Sequence, residues 1–157
     1  MNEFRWRSHS PDDTDRLARA IAAALPDTAV IALVGTLGAG KTRFVQGLAA
    51  ALGVSREEVV SPTFVLCQEY HGSRVIQHYD LYRLTREQEF WNLGPEEAFE
   101  SPGVVLIEWA DRFPQCLPAN HLEIRIEHVE DSTREFCVRP VGSGYEATVD
   151  AVRASFA

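Results

Sequence analysis

Apolar residues recur with two different periods along the chain, and the two periods predict different elements. Residues 11–25 carry them at helical spacing, which predicts an amphipathic helix with Ser10 as its N-cap. Residues 30–34 are all apolar and mostly β-branched, which predicts a strand buried on both faces, as in a parallel sheet covered by helices. A glycine-rich turn then precedes a predicted helix over residues 41–52 that ends near Gly53.

The remainder of the chain combines strand-like and helix-like stretches. Residues 64–70 and 75–82 predict two strands joined at residues 71–73. Residues 104–109, apolar except for Glu108, predict a second apolar strand. Helical segments are predicted over residues 86–99, with a break at Gly94-Pro95, and over residues 146–156. Residues 122–127 and 135–139 predict edge or half-exposed strands. The pattern as a whole predicts an α/β fold with a mixed sheet.

Composition and net charge argue against several functional classes for this chain. At 157 residues, the chain is predicted to form a single domain spanning residues 1–157. Its net charge of −8 argues against bulk electrostatic binding of long nucleic acids, because phosphate neutralisation needs a basic surface. Three well-separated cysteines without a CxxC motif predict buried, reduced thiols. No apolar run approaches the roughly 20 residues of a membrane helix, so we expect a cytoplasmic protein without a membrane partner.

Residues 35–42, GTLGAGKT, carry the strongest chemical signal and fit the pattern G-x-x-x-x-G-K-[ST]. Glycines let the backbone approach an anion, successive amides form a nest around it, and the following helix contributes its positive end. Lys41 is expected to bridge the β- and γ-phosphates and the Thr42 hydroxyl to bind Mg²⁺. The residues expected to bind the nucleotide here are Gly38, Ala39, Gly40, Lys41, Thr42 and Arg43. A chance glycine-rich turn is the alternative, but the buried strand before it and the helix after it favour a phosphate loop.

Two carboxylates are candidates for the Mg²⁺ side of such a site. Glu108 follows four apolar residues, where an ionised group is costly unless it binds something. Asp80 lies in a strand-like segment and shares a face with His78 by period-two alternation. The alternative for each carboxylate is a structural ion pair or a cap, and spacing does not decide between these roles.

Several segments, taken in order, resemble the bacterial TsaE family, also called YjeE, the ATPase of the tRNA threonylcarbamoyladenosine pathway. The matching segments are residues 35–42, Ser61-Pro62-Thr63-Phe64, residues 78–84 (HYDLYRL), Leu93-Gly94 with Glu96-Glu97, and Ile107-Glu108-Trp109. They cover most of the chain and are more specific together than the glycine loop alone. One departure is Thr36, where the family commonly has aspartate.

The resemblance implies a fold, ligands and roles. It implies a three-layer P-loop NTPase-like domain with a small mixed sheet, which binds ATP or ADP with Mg²⁺. It implies catalytic roles for Lys41, Asp80 and Glu108, metal contacts from Thr42 and Glu108, and nucleotide contacts from Thr63, Asp111 and Arg134. By the same resemblance, the chain acts on the partner proteins TsaD and TsaB, meets tRNA only through that complex, and does not itself transfer the threonylcarbamoyl group.

Two other functions remain open at this point. A small P-loop kinase that phosphorylates a metabolite would share the loop and the length. Such kinases usually carry an arginine-rich lid, whereas residues 85–99 hold one arginine and four glutamates. A nucleotide-dependent binding module without catalysis is the second alternative.

Overall fold

The computed structural model describes residues 2–36, 38–60 and 66–157. Within these ranges, a mixed seven-stranded sheet forms the middle layer. In chain order the strands are β1 (Phe4–Ser8), β2 (Thr28–Val34), β3 (Cys67–His71), β4 (Val75–Asp80), β5 (Gly103–Glu108), β6 (His121–Glu130) and β7 (Thr133–Val141). Their spatial order is β1-β7-β6-β2-β5-β4-β3. Strands β6, β2, β5 and β4 are mutually parallel, while β1, β7 and β3 are antiparallel additions at the two sides.

Helices cover both faces of this sheet. They are α1 (Pro11–Ala24), α2 (Lys41–Ala51), α3 (Glu87–Trp91), α4 (Pro95–Glu100) and α5 (Glu146–Ser155). Helices α1, α2 and α5 bury Leu17, Phe44 and Val149 in one apolar cluster with the sheet. On the opposite face, Phe90 of α3 packs edge-on against Tyr79 of β4, with ring centroids 5.4 Å apart. The predicted three-layer α/β architecture is therefore confirmed.

Local signals account for several of these elements. Helix α1 begins where Ser10 accepts a hydrogen bond from the Asp13 amide at 3.1 Å, as its N-cap position predicts. Strand β2 is buried along almost its whole length, as its uninterrupted apolar run predicts. The helical segment over residues 86–99 is broken as expected, because Gly94 adopts a left-handed conformation and caps α4. All three cysteines are free, and two of them are buried.

At one side of the sheet the sequence interpretation missed strand β1 and was right only in part about β6 and β7. Strand β1 was not predicted, yet it pairs with β7 along its full length and packs Phe4 and Trp6 against Phe156 of the C-terminal segment. Strands β6 and β7 are not edge strands, since each has a hydrogen-bonded neighbour on both sides. Both are partly exposed, as predicted: the second half of β6 is mostly exposed, and five residues of β7 are partly buried.

Smaller differences concern element ends and segments outside the described ranges. Strand β4 ends at Asp80 rather than at residue 82, and β3 begins at Cys67. Residues 64 and 65, included in the predicted strand, lie outside the described residues. No helix within the described ranges is both long enough and apolar enough to cross a bilayer.

Candidate functional site

The carboxyl end of β2 continues into a loop that leads directly into α2. Gly38 and Gly40 have φ angles of 77° and 107°, in the left-handed region that favours glycine. Gly40 is the N-cap of α2, and no side chain of the described residues caps the helix there. The first N–H groups of α2 therefore lack a capping side chain, which is the arrangement by which helix N-termini bind anions.

The start of this loop is pressed against the neighbouring strand β6. A Cβ atom added to Gly35 would lie 2.7 Å from the backbone oxygen of Ile126, a distance that no real side chain tolerates. The first glycine of the motif is therefore required by a close backbone approach rather than by its φ angle. This contact fixes where the loop leaves the sheet.

Lys41, in the first turn of α2, is held by its own loop. Its Nζ donates hydrogen bonds to the carbonyl oxygens of Gly35 and Thr36, the latter at 3.0 Å, and lies 3.9 Å from the centroid of the Trp109 ring. Burial lowers the pKa of Lys41 below the ordinary lysine value, while the carboxylates of Glu108, Asp80 and Asp111 oppose that shift. An ammonium in such contacts can exchange backbone oxygens for those of a phosphate.

A cavity of about 440 Å³ lies over the loop. It is lined by Thr36, Gly38, Ala39, Gly40, Lys41, Thr42, Arg43, Asp80, Tyr82, Arg83, Glu108 and Trp109. The loop residues, Asp80 and Glu108, predicted from separate parts of the sequence, thus line one cavity. The sheet explains this, because Asp80 and Glu108 are register partners at the carboxyl ends of the parallel strands β4 and β5.

Both carboxylates are buried, and each has a defined partner. Asp80 accepts a hydrogen bond from the Tyr82 amide at 2.8 Å, which turns the chain at the end of β4. Glu108 Oε2 lies 2.5 Å from Nε2 of His78, a histidine with no exposed surface. His78 Nδ1 in turn lies 3.1 Å from the hydroxyl of Tyr70. Burying such groups is costly unless they are bonded, so the partners hold them in place.

Of the other predicted contact residues, Arg43 lines this cavity and Asp111 lines a neighbouring one. Arg43 lines the cavity, but its guanidinium donates to the Asp15 carboxylate of α1 at 2.8 Å, so the structure shows it joining α1 to α2. Asp111 lies behind the loop in a neighbouring pocket that also contains Gly35 and Thr36. Thr63 lies outside the described residues.

Arg134 lies on the other side of the loop, beside Gly40. Its Nε would be 3.7 Å from a Cβ atom added to that glycine. It lines a second cavity, of about 340 Å³, together with Ser10, Pro11, Thr14, Gly40, Arg43, Asp131, Ser132 and Phe136. Gly40 and Arg43 line both cavities, so the two adjoin at the N-terminus of α2.

Two aromatic residues at the site were not predicted there. Trp109 covers Lys41 and packs against Tyr82, with ring centroids 4.9 Å apart. Trp109 also has a left-handed backbone, with φ of 58°, which turns the chain directly after Glu108. The sequence could have indicated a role for Trp109 at the site through its position directly after Glu108. That its ring covers Lys41 becomes clear only from the fold.

The donor set fits Mg²⁺ better than a metal that needs a protein cage. Among the described residues, no three His, Cys, Asp or Glu side chains converge as a metal site. The cavity instead offers the Thr42 residue and the Glu108 carboxylate. Mg²⁺ commonly binds through one or two protein ligands, with waters and substrate phosphates completing its shell.

Comparison with known proteins gives a consistent family. A family model described as "Threonylcarbamoyl adenosine biosynthesis protein TsaE" matches residues 8–136. The "tRNA threonylcarbamoyladenosine biosynthesis protein TsaE" of Bacillus subtilis is 40% identical over 147 residues, covering 93% of this chain and 91% of the relative. The protein of that name from Treponema pallidum is 40% identical over 135 residues, covering 86% and 99%.

A solved structure extends the likeness to three dimensions. The crystal structure of Bacillus subtilis YdiB has a TM-score of 0.81 and 32% identity to this chain, covering 99% of it and 97% of that structure. The likeness confirms the predicted α/β fold of the P-loop NTPase type. The family resemblance indicated by the five sequence segments is confirmed as well.

Proposed function

The chain belongs to the TsaE family, and from that premise we propose that it binds and hydrolyses ATP with Mg²⁺ as a component of the tRNA threonylcarbamoyladenosine machinery. One observation carries the proposal. The uncapped N-terminus of α2, the Lys41 ammonium and two buried carboxylates border a single cavity at the carboxyl edge of the parallel strands. That combination suits a triphosphate and its metal, and it suits few other ligands.

Each residue has a role that follows from its place. The amides of residues 38–43 would hold the phosphate oxygens, and Lys41 would neutralise charge on the β- and γ-phosphates. Thr42 and Glu108 would hold Mg²⁺, which when bound supplies charge stabilisation to the transferring phosphoryl group. Asp80 or Glu108 would orient the attacking water, since both line the cavity.

We propose that the second cavity receives the base of the nucleotide. It meets the phosphate cavity at Gly40 and Arg43, and Arg134 borders it beside the loop. A nucleotide with its phosphates over α2 would therefore place its base between the start of α1 and the β6–β7 hairpin. Arg134 would contact the nucleotide there, as the family resemblance implies.

We propose that the chain uses ATP hydrolysis to act on partner proteins rather than on tRNA directly. The net charge of −8 leaves the chain poorly suited to bind tRNA by bulk electrostatics. We therefore propose that it acts on the TsaD–TsaB complex in the cytoplasm and meets tRNA through that complex. Turnover should be slow for the chain alone and faster with the partners, because a residue supplied by a partner can stabilise the transition-state charge.

Lys41 offers a direct test, since it is the single lysine in the sequence. ATP with Mg²⁺ should protect this side chain from an amine-reactive reagent, leaving the α-amino group as the modified site in a mass spectrum. Calorimetry should show ATP binding that is lost in Lys41→Ala and kept in Arg19→Ala, a matched loss of one positive charge on the exposed face of α1. Lys41 labelling unchanged by ATP, together with no heat of binding, would contradict the proposal.

Turnover measurements separate the proposed activity from the alternatives. Phosphate release should be measured for the chain alone and with purified TsaD and TsaB. Stimulation by the partners is the expected result. Rapid hydrolysis unaffected by the partners would contradict the regulatory role, and transfer of labelled phosphate to a metabolite would favour the kinase.

A further inference from the structure

A row of hydrogen-bonded side chains leads from Glu108 away from the proposed nucleotide site. His78 bonds Glu108 through Nε2 at 2.5 Å and Tyr70 through Nδ1 at 3.1 Å. The Tyr70 hydroxyl donates to the backbone oxygen of Val60 at 3.3 Å. The row therefore has four members and ends at Val60, whose side chain is exposed.

Sheet register explains why these side chains meet. Tyr70, His78 and Glu108 lie on β3, β4 and β5, three neighbouring strands. Gln68 pairs with His78, and His78 pairs with Leu106, so Tyr70 and Glu108 are each two residues away from the partner of His78. Such diagonal neighbours share one face of a sheet. The face is the one covered by α2, beside the loop that carries Lys41.

The acceptor at the Val60 end of the row determines which atom donates in the neighbouring hydrogen bonds. The oxygen of Val60 can only accept, so the Tyr70 hydroxyl gives it its proton. The Tyr70 oxygen must then accept from His78 Nδ1–H, which fixes the orientation of the imidazole ring. Nε2 is left facing Glu108 Oε2, at 2.5 Å. Rotation of the Glu108 carboxylate would therefore break a bond inside a fully buried pair.

We propose that His78 and Tyr70 are positioning residues that fix the Glu108 carboxylate for its contact with Mg²⁺ or the attacking water. The inference rests on the function proposed above. With Oε2 bonded to His78, the orientation of Oε1 is fixed as well, before any ligand arrives. Residues that orient a metal-binding carboxylate in this way act through it and contact neither nucleotide nor metal.

Two substitutions of His78 separate its two bonds. The amide nitrogen of His78→Gln lies near the position of Nε2 and retains a donor for Glu108. The amide of His78→Asn lies near the position of Nδ1, retains the Tyr70 contact and loses Glu108. His121→Asn is the matched control, because His121 is also buried in a parallel strand but bonds the Pro118 oxygen, away from the site.

The expected result is a kinetic difference between these variants. His78→Asn should lower kcat about 10–100-fold and raise the Mg²⁺ concentration for half-maximal rate by a similar factor. KM for ATP should change less than about threefold, because the phosphate contacts come from the loop. His78→Gln should keep most of the activity, and His121→Asn should match the wild type. Equal rates in His78→Asn and wild type, or equal losses in the Asn and Gln variants, would overturn the inference.

A spectroscopic measurement tests the row without hydrolysis. In protein labelled with ¹⁵N-histidine and free of nucleotide, His78 should give a slowly exchanging Nδ1–H signal, since the ring is fully buried. Tyr70→Phe removes the acceptor while preserving shape, and should shift that signal and lower kcat in the same direction as His78→Asn. An Nδ1–H signal unchanged in Tyr70→Phe overturns the row. If the wild type bound no ATP, the proposed function would fail, and this measurement would still decide the row.

Discussion

Replacing Glu108 by glutamine and by alanine tests the chemistry of the candidate site most directly. Glutamine keeps the volume of the side chain and can donate its amide proton to His78 Nε2, but it carries no charge. Alanine removes both the charge and the bond. The pair therefore separates what Glu108 does for the fold from what it does for hydrolysis.

The structure sets the size of the effect on stability. Alanine leaves an unpaired ring nitrogen on His78, which has no exposed surface, and such a loss costs about 1–3 kcal/mol. For a chain of this length we expect Tm to fall by about 2–12 °C in Glu108→Ala, at 2–4 °C for each kcal/mol. Glutamine retains a hydrogen bond, so we expect a fall of less than about 2 °C.

The effect on hydrolysis should not follow the effect on stability. Removing the carboxylate proposed to contact the metal or orient water should lower kcat about 10²–10⁴-fold in both variants. ATP binding should persist, weakened, because the loop amides and Lys41 remain. Glutamine is thus expected to restore Tm and leave the rate low.

Phosphate release, calorimetry with ATP and thermal unfolding together distinguish the two roles. Each assay should be run at saturating Mg²⁺ and repeated at limiting Mg²⁺. If Glu108→Gln hydrolysed ATP at the wild-type rate, the carboxylate would be a structural partner of His78, and its assignment to the metal would be refuted.

Two further predictions follow from local geometry. Gly35→Ala places a Cβ atom 2.7 Å from the Ile126 oxygen, which should lower the free energy of unfolding by about 1–3 kcal/mol and so lower Tm. ATP affinity should fall as well, and thermal unfolding with and without nucleotide measures both effects. Burial raises the pKa of Cys116 and Cys137 from 9.0 to about 11, so the folded state retains protons that the unfolded state loses. The free energy of unfolding should therefore decrease between about pH 9 and 11, and less so in the double alanine variant; an equal decrease in both would contradict this.

Much of the candidate site was predictable because its signals are local. The loop, the strand before it and the helix after it are contiguous in sequence, so the motif and its structural context can be predicted together. Glu108 was identified because it follows an apolar run, and Asp80 because it shares a face of a predicted strand with His78. Parallel strands then bring their carboxyl ends to one edge. Whether both carboxylates act on the nucleotide remains a prediction.

The parts that escaped prediction depend on register and on distant contacts. The link between Tyr70 and Glu108 requires the pairing of three strands, and the two residues are far apart in sequence. Arg43 follows the glycine motif directly, yet its guanidinium bonds Asp15, 28 residues away. Strand β1 is five residues long, and its two inward aromatic residues become informative only beside β7 and Phe156.

The burial of ionisable groups at one edge of the sheet is itself an argument for function. His78, Asp80 and Glu108 occupy the ends of central strands, positions where apolar residues of similar size would be as stable or more so. His121 is buried too, but it is satisfied by a nearby backbone oxygen and stands at the opposite end of its strand. The free-energy cost of burying ionisable groups is therefore concentrated beside the Lys41 ammonium and the uncapped helix, rather than spread through the sheet. An anion and metal site requires such a concentration.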